Sequence, residues 1–236
     1  GDNVAVGYQS LKTLNAGADA FNTAVGYQSG VSVTTGVQNT LIGGLAGDAI
    51  TTGTNNVAIG YAALSTEDAH GSNVAIGRQA LENQNAGAEA YNVAIGSLAG
   101  NDITTGIQNT IMGGLAGDAL TDADYNVAIG YAALTTDTLG SRSVAVGYEA
   151  LENQNFTTAT ITYNVAMGYN AGKNITTGIE NTLIGALAGD ALTDADYNVA
   201  IGKKALSADT LGKRSVAIGN NALQVQNFTT STNTYN

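Results

Sequence analysis

Few residues of this chain have the type and spacing needed for chemistry, and the most distinctive is its single histidine, His70. His70 lies in a turn-like segment, Asp68-Ala69-His70-Gly71, that has no repeated counterpart elsewhere in the chain. A histidine acts as a general acid or base when a second group orients it or shares its proton. No facing pair of carboxylates recurs along the chain, so the sequence predicts no catalytic site and no enzyme.

Aspartates in acidic turns are the second group with chemical potential. The segment Gly113-Gly114-Leu115-Ala116-Gly117-Asp118 loosely resembles the calcium-binding β-roll nonapeptide, and clustered carboxylates with turn carbonyls suit Ca²⁺. The weak Ca²⁺ candidates are Asp118, Asp122, Asp124, Asp190, Asp194 and Asp196. The glycine spacing differs by one residue from that of the nonapeptide. Earlier in the chain, Thr52 and Thr54 occupy the positions that correspond to Asp122 and Asp124. Solvated acidic corners are therefore the favoured interpretation, and no metal or other cofactor is predicted.

These residues belong to a repeat that runs through the chain. Thirteen segments such as Asn56-Val57-Ala58-Ile59-Gly60 end in a glycine, and these glycines recur at a nearly fixed spacing that lengthens slightly in the first coil of each larger unit. A short period held over a whole chain is typical of stacked repeats. The sequence predicts one all-β domain over residues 1–236, a parallel β-solenoid of thirteen coils of about 17 residues. Its four-coil units are 3–72, 73–142 and 143–214, followed by the last coil, 215–236.

The motif itself predicts a short strand, with each glycine taken as position zero. Position −3 is Val or Thr and position −1 is Val, Ile or Met, while position −2 is mostly Ala. Side chains alternate between the two faces of a strand, so both faces of this one are apolar. One face can fill the core of a coil. We expect the other, made of Ala and Gly, to pack closely against a partner chain.

Position −4 is Asn in eleven coils and Ser in two, which predicts a structural ladder of stacked side chains at one corner. Representative members of this ladder are Asn56, Asn73, Asn92, Asn126, Asn164 and Asn198. Position +4 is either Leu or Gly, and coils with Gly carry an apolar residue at position +7. We therefore expect each coil to supply one large side chain to its second side.

The long coils carry insertions, which emerge from a solenoid as loops on one face. Loops carry recognition on rigid scaffolds, so their aromatic residues are the candidates for a recognition surface. These candidates are Phe21, Tyr91, Phe156, Tyr163 and Phe228. A Thr-Thr-Gly segment also recurs, beginning at Thr34, Thr51, Thr104 and Thr176. Ice-binding solenoids use flat threonine arrays, but four of the thirteen coils carry the segment here.

Composition excludes several classes of partner. The formal net charge is −11, which argues against a nucleic-acid partner and against adsorption to anionic membranes. No apolar run is as long as a membrane span, which needs about 18 residues, so no membrane insertion is predicted. The absence of cysteine removes disulfides and thiolate sites. The chain begins and ends at a coil boundary, from which we expect a segment of a longer fibre.

The motif resembles the head repeats of trimeric autotransporter adhesins, with Asn or Ser followed by Val-Ala-Ile-Gly, two variable residues and Ala. Examples are Asn73-Val74-Ala75-Ile76-Gly77-Arg78-Gln79-Ala80 and Ser215-Val216-Ala217-Ile218-Gly219-Asn220-Asn221-Ala222. The variant Asn22-Thr23-Ala24-Val25-Gly26-Tyr27-Gln28-Ser29 resembles repeats of phage-type tail fibres. The resemblance implies a left-handed β-roll, a homotrimer, and an extracellular location on a bacterial surface or a virion tail fibre.

Together these features predict a structural and adhesive fibre segment, a rigid trimeric rod whose loops attach to a surface receptor. The partners expected are the chain itself, as a homotrimer, and a host-surface glycan or protein. The alternative is a monomeric ligand-binding or ice-binding β-solenoid. The sequence does not decide between an adhesin and a tail fibre, and it does not name the receptor.

Overall fold

The computed structural model describes residues 1–236 and contains strands and turns but no helix. The chain is an all-β parallel β-solenoid whose turns repeat with the period of the motif, which confirms the predicted fold class. It forms two compact units, Gly1–Asp122 and Ala123–Asn236. The prediction of one continuous domain and that of a homotrimer both stay predictions.

The first unit contains seven strands of three residues, each ending directly before a motif glycine, as the sequence predicts. They are β1 (Val4–Val6), β2 (Thr23–Val25), β3 (Thr40–Ile42), β4 (Val57–Ile59), β5 (Val74–Ile76), β6 (Val93–Ile95) and β7 (Thr110–Met112). Neighbouring strands pair in parallel with motif positions in register, so that Ala58 of β4 lies beside Ala75 of β5. Each motif position therefore forms a column through the unit.

The second unit contains six strands of the same kind and four shorter ones. The six are β8 (Val127–Ile129), β10 (Val144–Val146), β12 (Val165–Met167), β13 (Thr182–Ile184), β14 (Val199–Ile201) and β16 (Val216–Ile218). The shorter strands are β9 (Gly140–Ser141), β11 (Thr160–Ile161), β15 (Gly212–Lys213) and β17 (Thr232–Asn233). They form two separate parallel pairs, β9 with β11 and β15 with β17. Each pair includes a strand from the insertion that begins Asn-Phe-Thr-Thr.

The motif glycines are required where successive coils stack most closely. Gly60 has a φ of +140°, and a Cβ atom built on it would lie 2.3 Å from the backbone oxygen of Gly77 in the next coil. A side chain at this position would strain the backbone and also force the coils apart. This double constraint explains why glycine follows the strand in coils that have another coil stacked on them, whereas Gly219 has the positive φ alone.

The strands point their small residues inward, which corrects the expectation that the Ala and Gly face packs against a partner. Ala24, Ala58 and Ala94 at position −2 are 0 % exposed within the coil. The Val, Thr, Ile and Met side chains at positions −3 and −1 instead remain partly or largely exposed. The physical reason is the narrow coil, whose interior admits a methyl group from most strands.

The second side of each coil supplies the large apolar side chains of the core, as the alternation at positions +4 and +7 predicts. Leu64 fills this position where +4 is leucine, and Ile50 fills it where +4 is glycine; both are 0 % exposed. Gly47 is needed because its added Cβ would lie 2.7 Å from Leu41 and 2.8 Å from Ile50. Glycine at +4 therefore makes room for a leucine or isoleucine at position −2 of a coil.

Candidate functional site

The candidate functional site is the outward face of the motif strands, called here the open face and defined by the side chains at positions −3 and −1. In the first unit it runs from Val4 and Val6 in β1 to Thr110 and Met112 in β7. Every one of these residues is at least partly exposed, and Met112 is 39 % exposed. Because the columns are in register, position −1 forms a continuous apolar column in each unit, beside a column of valine and threonine at position −3.

In the second unit the open face is also uncovered, and threonine occupies position −3 in one strand, at Thr182. The face runs from Val127 and Ile129 in β8 to Val216 and Ile218 in β16. Met167 is 42 % exposed and Ile184 is 36 % exposed. Soluble monomers rarely expose contiguous apolar patches larger than a few hundred Å², and such patches usually mark interaction sites.

Exposed tyrosines at position +1 border the open face and stack on one another in short runs. Tyr131, Tyr148 and Tyr169 stack in succession, with 5.5 Å between adjacent ring centroids. A hydrogen bond between Tyr148 and the Glu149 carboxylate raises the pKa of the tyrosine. Lys173 bonds to Glu149 in turn and lowers the pKa of that carboxyl group. This border is therefore held in place by side-chain contacts between coils.

Three of the predicted recognition residues are exposed at the N-terminal end of the motif, directly before position −4. Phe21, Tyr91 and Tyr163 are 56 %, 55 % and 54 % exposed. Each precedes a ladder asparagine and has a left-handed backbone, with φ values of 53°, 53° and 49°. A bulky residue in this conformation is uncommon. The fold therefore imposes the conformation that presents these rings to solvent.

The two phenylalanines of the Asn-Phe-Thr-Thr insertions differ from those three rings. Phe156 is 7 % exposed, and its backbone N–H donates to Asp137 Oδ1 over 2.9 Å. It is a structural residue rather than an exposed recognition residue, which corrects that part of the prediction. Phe228 is only partly exposed, and its N–H donates to Asp209 in the same way.

The predicted asparagine ladder is present, and its principal partner is backbone. Its members are 0 % exposed: Asn56, Asn73, Asn92, Asn126, Asn164 and Asn198. The Oδ1 atom of one asparagine accepts from the backbone N–H of its counterpart in the next coil, as from Asn73 to Asn56 over 3.1 Å. Its amide nitrogen donates to a carbonyl in the following turn, as from Asn164 to Gly178 over 2.7 Å. The ladder therefore holds each coil to the next.

A second buried polar column was not predicted. The polar residues at position +7 of the leucine coils, including Gln84, Asp137 and Gln154, are 0 % exposed. Gln154 Nε2 donates to Asp137 Oδ2, and Asn164 Nδ2 donates to Gln154 Oε1 over 2.8 Å. The signal in the sequence was the regular recurrence of a polar residue at a position that elsewhere carries Val, Ile or Leu.

The aspartates considered for Ca²⁺ mostly contact neighbouring coils. Thr105 donates to Asp122 over 2.6 Å, and Thr177 donates to Asp194 over 3.0 Å. Asp196 pairs with Lys213 over 2.6 Å. Asp118 and Asp124 also have interaction partners. Desolvation raises the pKa of Asp190, and one of its oxygens is buried without a hydrogen bond. None of the six belongs to the group of side chains that the structure brings within metal-binding distance.

That group consists of Glu67, Asp68 and His70, whose ligand atoms lie within 4.8 Å of one another. Glu67 is 0 % exposed, His70 is partly exposed and Asp68 is exposed. His70 Nδ1 lies 3.7 Å from Glu67 Oε1. This cluster was not predicted from the sequence, because His70 was considered without Glu67.

The hydroxyl groups of three of the four Thr-Thr-Gly threonines are engaged by the fold. Thr51 donates to the Asp68 carbonyl over 2.8 Å, and Thr34 donates to the Thr51 carbonyl over 3.2 Å. Thr104 donates to the Thr121 carbonyl in the same way. These contacts give the threonines a role in holding successive coils together.

Comparison with protein families, with curated proteins and with solved structures finds no match. The structure also contains no helix with the length and hydropathy needed to cross a membrane.

Proposed function

We propose that this chain is a structural and adhesive segment of an extracellular or virion fibre, in which three copies pack through their open faces. The observation that supports this most directly is the apolar character of that face. Val57 and Ile59 of β4 point outward and remain partly exposed, although neighbouring Ala58 is 0 % exposed. A solenoid that functioned alone in water would gain solubility from polar side chains at these positions.

The extent of the open face suits a partner of the same kind. If each outward side chain exposes about 40 Å², the seven strands of the first unit present on the order of 500 Å² of apolar surface. Burial at about 25 cal/mol per Å² gives a gross gain on the order of 10 kcal/mol for that unit, before association costs. An identical copy carries the same regular columns, so its own face offers a matching surface.

The adhesive role rests on the exposed rings beside the open face. Phe21, Tyr91 and Tyr163 each directly precede an asparagine held in the buried ladder, so their backbone is fixed while their rings are exposed. Aromatic rings contribute large contact areas to protein and glycan recognition. The partner proposed at these rings is a glycan or protein on a host surface.

The solution mass, measured by light scattering on a size-exclusion column, tests the assembly. A homotrimer has three times the chain mass of 23.7 kDa. Replacing Ile59 and Ile95 together by lysine places two charges per chain in the open face and should yield folded monomers. Ala88→Lys, on an exposed loop residue, is the matched control and should leave the trimer intact.

Circular dichroism of each variant separates dissociation from unfolding. A folded monomer of the unaltered chain at micromolar concentration would overturn the proposal, and so would a trimer that survives both charged substitutions. Binding of the trimer to immobilised cell-surface glycans and proteins then tests adhesion. Tyr91→Ala should weaken that binding without changing the mass.

A further inference from the structure

The cluster at Glu67 lies at a corner that occurs three times, and two of the three corners serve as internal controls. Counted from the motif glycine, position +7 of the fourth coil is Glu67 in the first four-coil unit and Asp137 and Asp209 in the next two. Position +10 is His70 in the first and Gly140 and Gly212 in the others. The first corner therefore differs from the others in two buried or partly buried side chains.

At the second corner the buried carboxylate has a complete set of donors. Asp137 Oδ1 accepts from the backbone N–H groups of Gly140 over 3.1 Å and Phe156 over 2.9 Å. Its Oδ2 atom accepts from Gln154 Nε2. The third corner repeats these contacts with Asp209, Gln226 and Phe228. At these two corners the buried carboxylate is thus hydrogen-bonded by three donors.

The first corner lacks two of these donors. His70 N–H donates to Glu67 Oε1 over 3.0 Å, but Oε2 is buried without any hydrogen-bond partner. Gln84, the counterpart of Gln154, instead donates to the Thr104 carbonyl over 3.3 Å. The next coil carries a shorter insertion, in which Ala86 stands at the place of Phe156. An unpaired buried carboxylate oxygen is costly, so this corner requires another partner.

His70 places a second unpaired atom at the same corner. Its Nδ1 atom is buried without a hydrogen bond and lies 3.7 Å from Glu67 Oε1. At the second corner a Cβ atom on Gly140 would lie 2.1 Å from Asp137 Oδ2, so a histidine there is incompatible with the aspartate as it lies. Glutamate and histidine therefore occur together, and both direct unpaired atoms into one cluster.

We propose that Glu67, Asp68 and His70 bind one Zn²⁺ ion. Zinc ligands at about 2.0–2.2 Å in a tetrahedral arrangement lie roughly 3.3–3.6 Å apart. The ligand atoms here lie within 4.8 Å of one another, so small rotations of exposed Asp68 and partly exposed His70 close the remaining distances. The carbonyl of His70 accepts from the ladder residue Asn56 over 3.1 Å, which holds the backbone of the site in place.

The donor set selects the metal. One imidazole nitrogen and two carboxylates suit Zn²⁺, whereas Ca²⁺ takes six to eight oxygen ligands and Mg²⁺ prefers an oxygen octahedron. The ion takes the place of the hydrogen bonds that Gln154 and the Phe156 backbone N–H donate to the carboxylate at the second corner. Its role here is structural, because it neutralises the buried Glu67 carboxylate.

Metal titration of the full chain, purified without a histidine tag and dialysed against chelator, tests the site. Isothermal calorimetry with ZnCl₂ should give one ion per chain with a Kd of about 1 μM or tighter. Co²⁺ in place of Zn²⁺ should give the visible absorption of a tetrahedral nitrogen and oxygen site. Excess Ca²⁺ should not displace either ion.

Two variants make the test specific. Glu67→Asp with His70→Gly recreates the residues of the second corner, and His70→Gln removes the nitrogen ligand while keeping a side chain of similar length. Each should weaken Zn²⁺ binding by on the order of 100-fold and abolish the Co²⁺ absorption. Circular dichroism without metal checks that both variants are folded.

Either of two results would overturn the proposal. A chain that binds no Zn²⁺, or variants that bind it as tightly as the unaltered chain, would show that the cluster is not a metal site.

Discussion

Replacing Gly60 by alanine tests the argument that coil stacking, rather than backbone conformation alone, requires the motif glycine. The added Cβ atom would lie 2.3 Å from the Gly77 carbonyl oxygen, which is well inside an ordinary van der Waals contact. Relieving the clash by moving the coils apart would stretch the 2.7 Å hydrogen bond from Gly77 N to Ile59 O. At roughly 3.7 Å this contact would no longer be a hydrogen bond.

The expected loss of stability has two parts. Alanine at a φ of +140° adds about 1–3 kcal/mol of backbone strain. Disrupting one or two buried hydrogen bonds between β4 and β5 adds about 1–3 kcal/mol for each group left unpaired. With one or two groups left unpaired the total is about 2–9 kcal/mol, a large part of the whole stability of many domains. We therefore expect the coils around Gly60 to open locally, even where the rest of the chain stays folded.

Two other glycines separate these two parts. Gly219→Ala meets nothing within 4 Å at a φ of +124°, so only the strain of about 1–3 kcal/mol should remain. Gly44→Ala has neither strain nor clash, because the nearest atom is Tyr61 Cδ2 at 3.6 Å. The chain already carries alanine at the matching position, Ala186, so this variant should change stability by less than about 0.5 kcal/mol.

Hydrogen exchange measured by mass spectrometry is the appropriate assay, because a repeat protein can open locally without unfolding as a whole. Peptides covering residues 57–77 should exchange much faster in Gly60→Ala than in Gly44→Ala. Urea unfolding of the same variants gives the global change in stability. Equal protection and equal urea midpoints for these two variants would refute the stacking argument.

Two further substitutions test the buried polar columns. Asn39→Ala removes the partners of Asn56 N–H and of the Gly53 carbonyl, and urea unfolding should show a loss of about 2–6 kcal/mol. Asn3→Ala, at a partly exposed site, should lose clearly less, and equal losses would contradict the ladder's role. The pH dependence of urea unfolding should differ for Asp137→Asn, because burial raises the pKa of Asp137. The folded chain then holds the proton to higher pH than the unfolded chain, so stability falls as pH rises from the unfolded value near 3.8 through the raised pKa. The Asp137→Asn variant should lack this part of the decrease in stability. Parallel curves of unfolding free energy against pH for the variant and the unaltered chain would refute the prediction.

The positions of the strands could be predicted because glycine identifies the same point in every coil. β-Branched residues at −3 and apolar residues at −1 placed the strand over residues such as Val57–Ile59, where the structure has it. The direction of its two faces could not be predicted in the same way. Both faces are apolar, so alternation does not distinguish inside from outside. Which face points into the coil depends on the width of the coil, and that width is a property of the folded chain.

The buried polar residues show a different limit. Gln154 and Asp137 have the composition of a solvated corner, yet both are 0 % exposed. Their mutual hydrogen bond joins residues of two successive coils, so it forms only when those coils are stacked in register. Comparing aligned coils, rather than inspecting single residues, would have revealed Glu67 and His70 as a departure from this pattern.

Because alanine points inward, folding and the proposed association depend largely on different side chains of the same strand. Ala58 lies in the coil interior at 0 % exposure, while its immediate neighbours Val57 and Ile59 point to the open face and are partly exposed. Substitutions at Ala58 would therefore mainly change stability, whereas charges at Ile59 would mainly change association. If the Ala face were the interface, as the sequence alone suggested, association and folding would depend on the same side chains. The structure instead leaves the outward columns at positions −3 and −1 partly exposed, which is why they are the surface proposed to meet a second and a third copy.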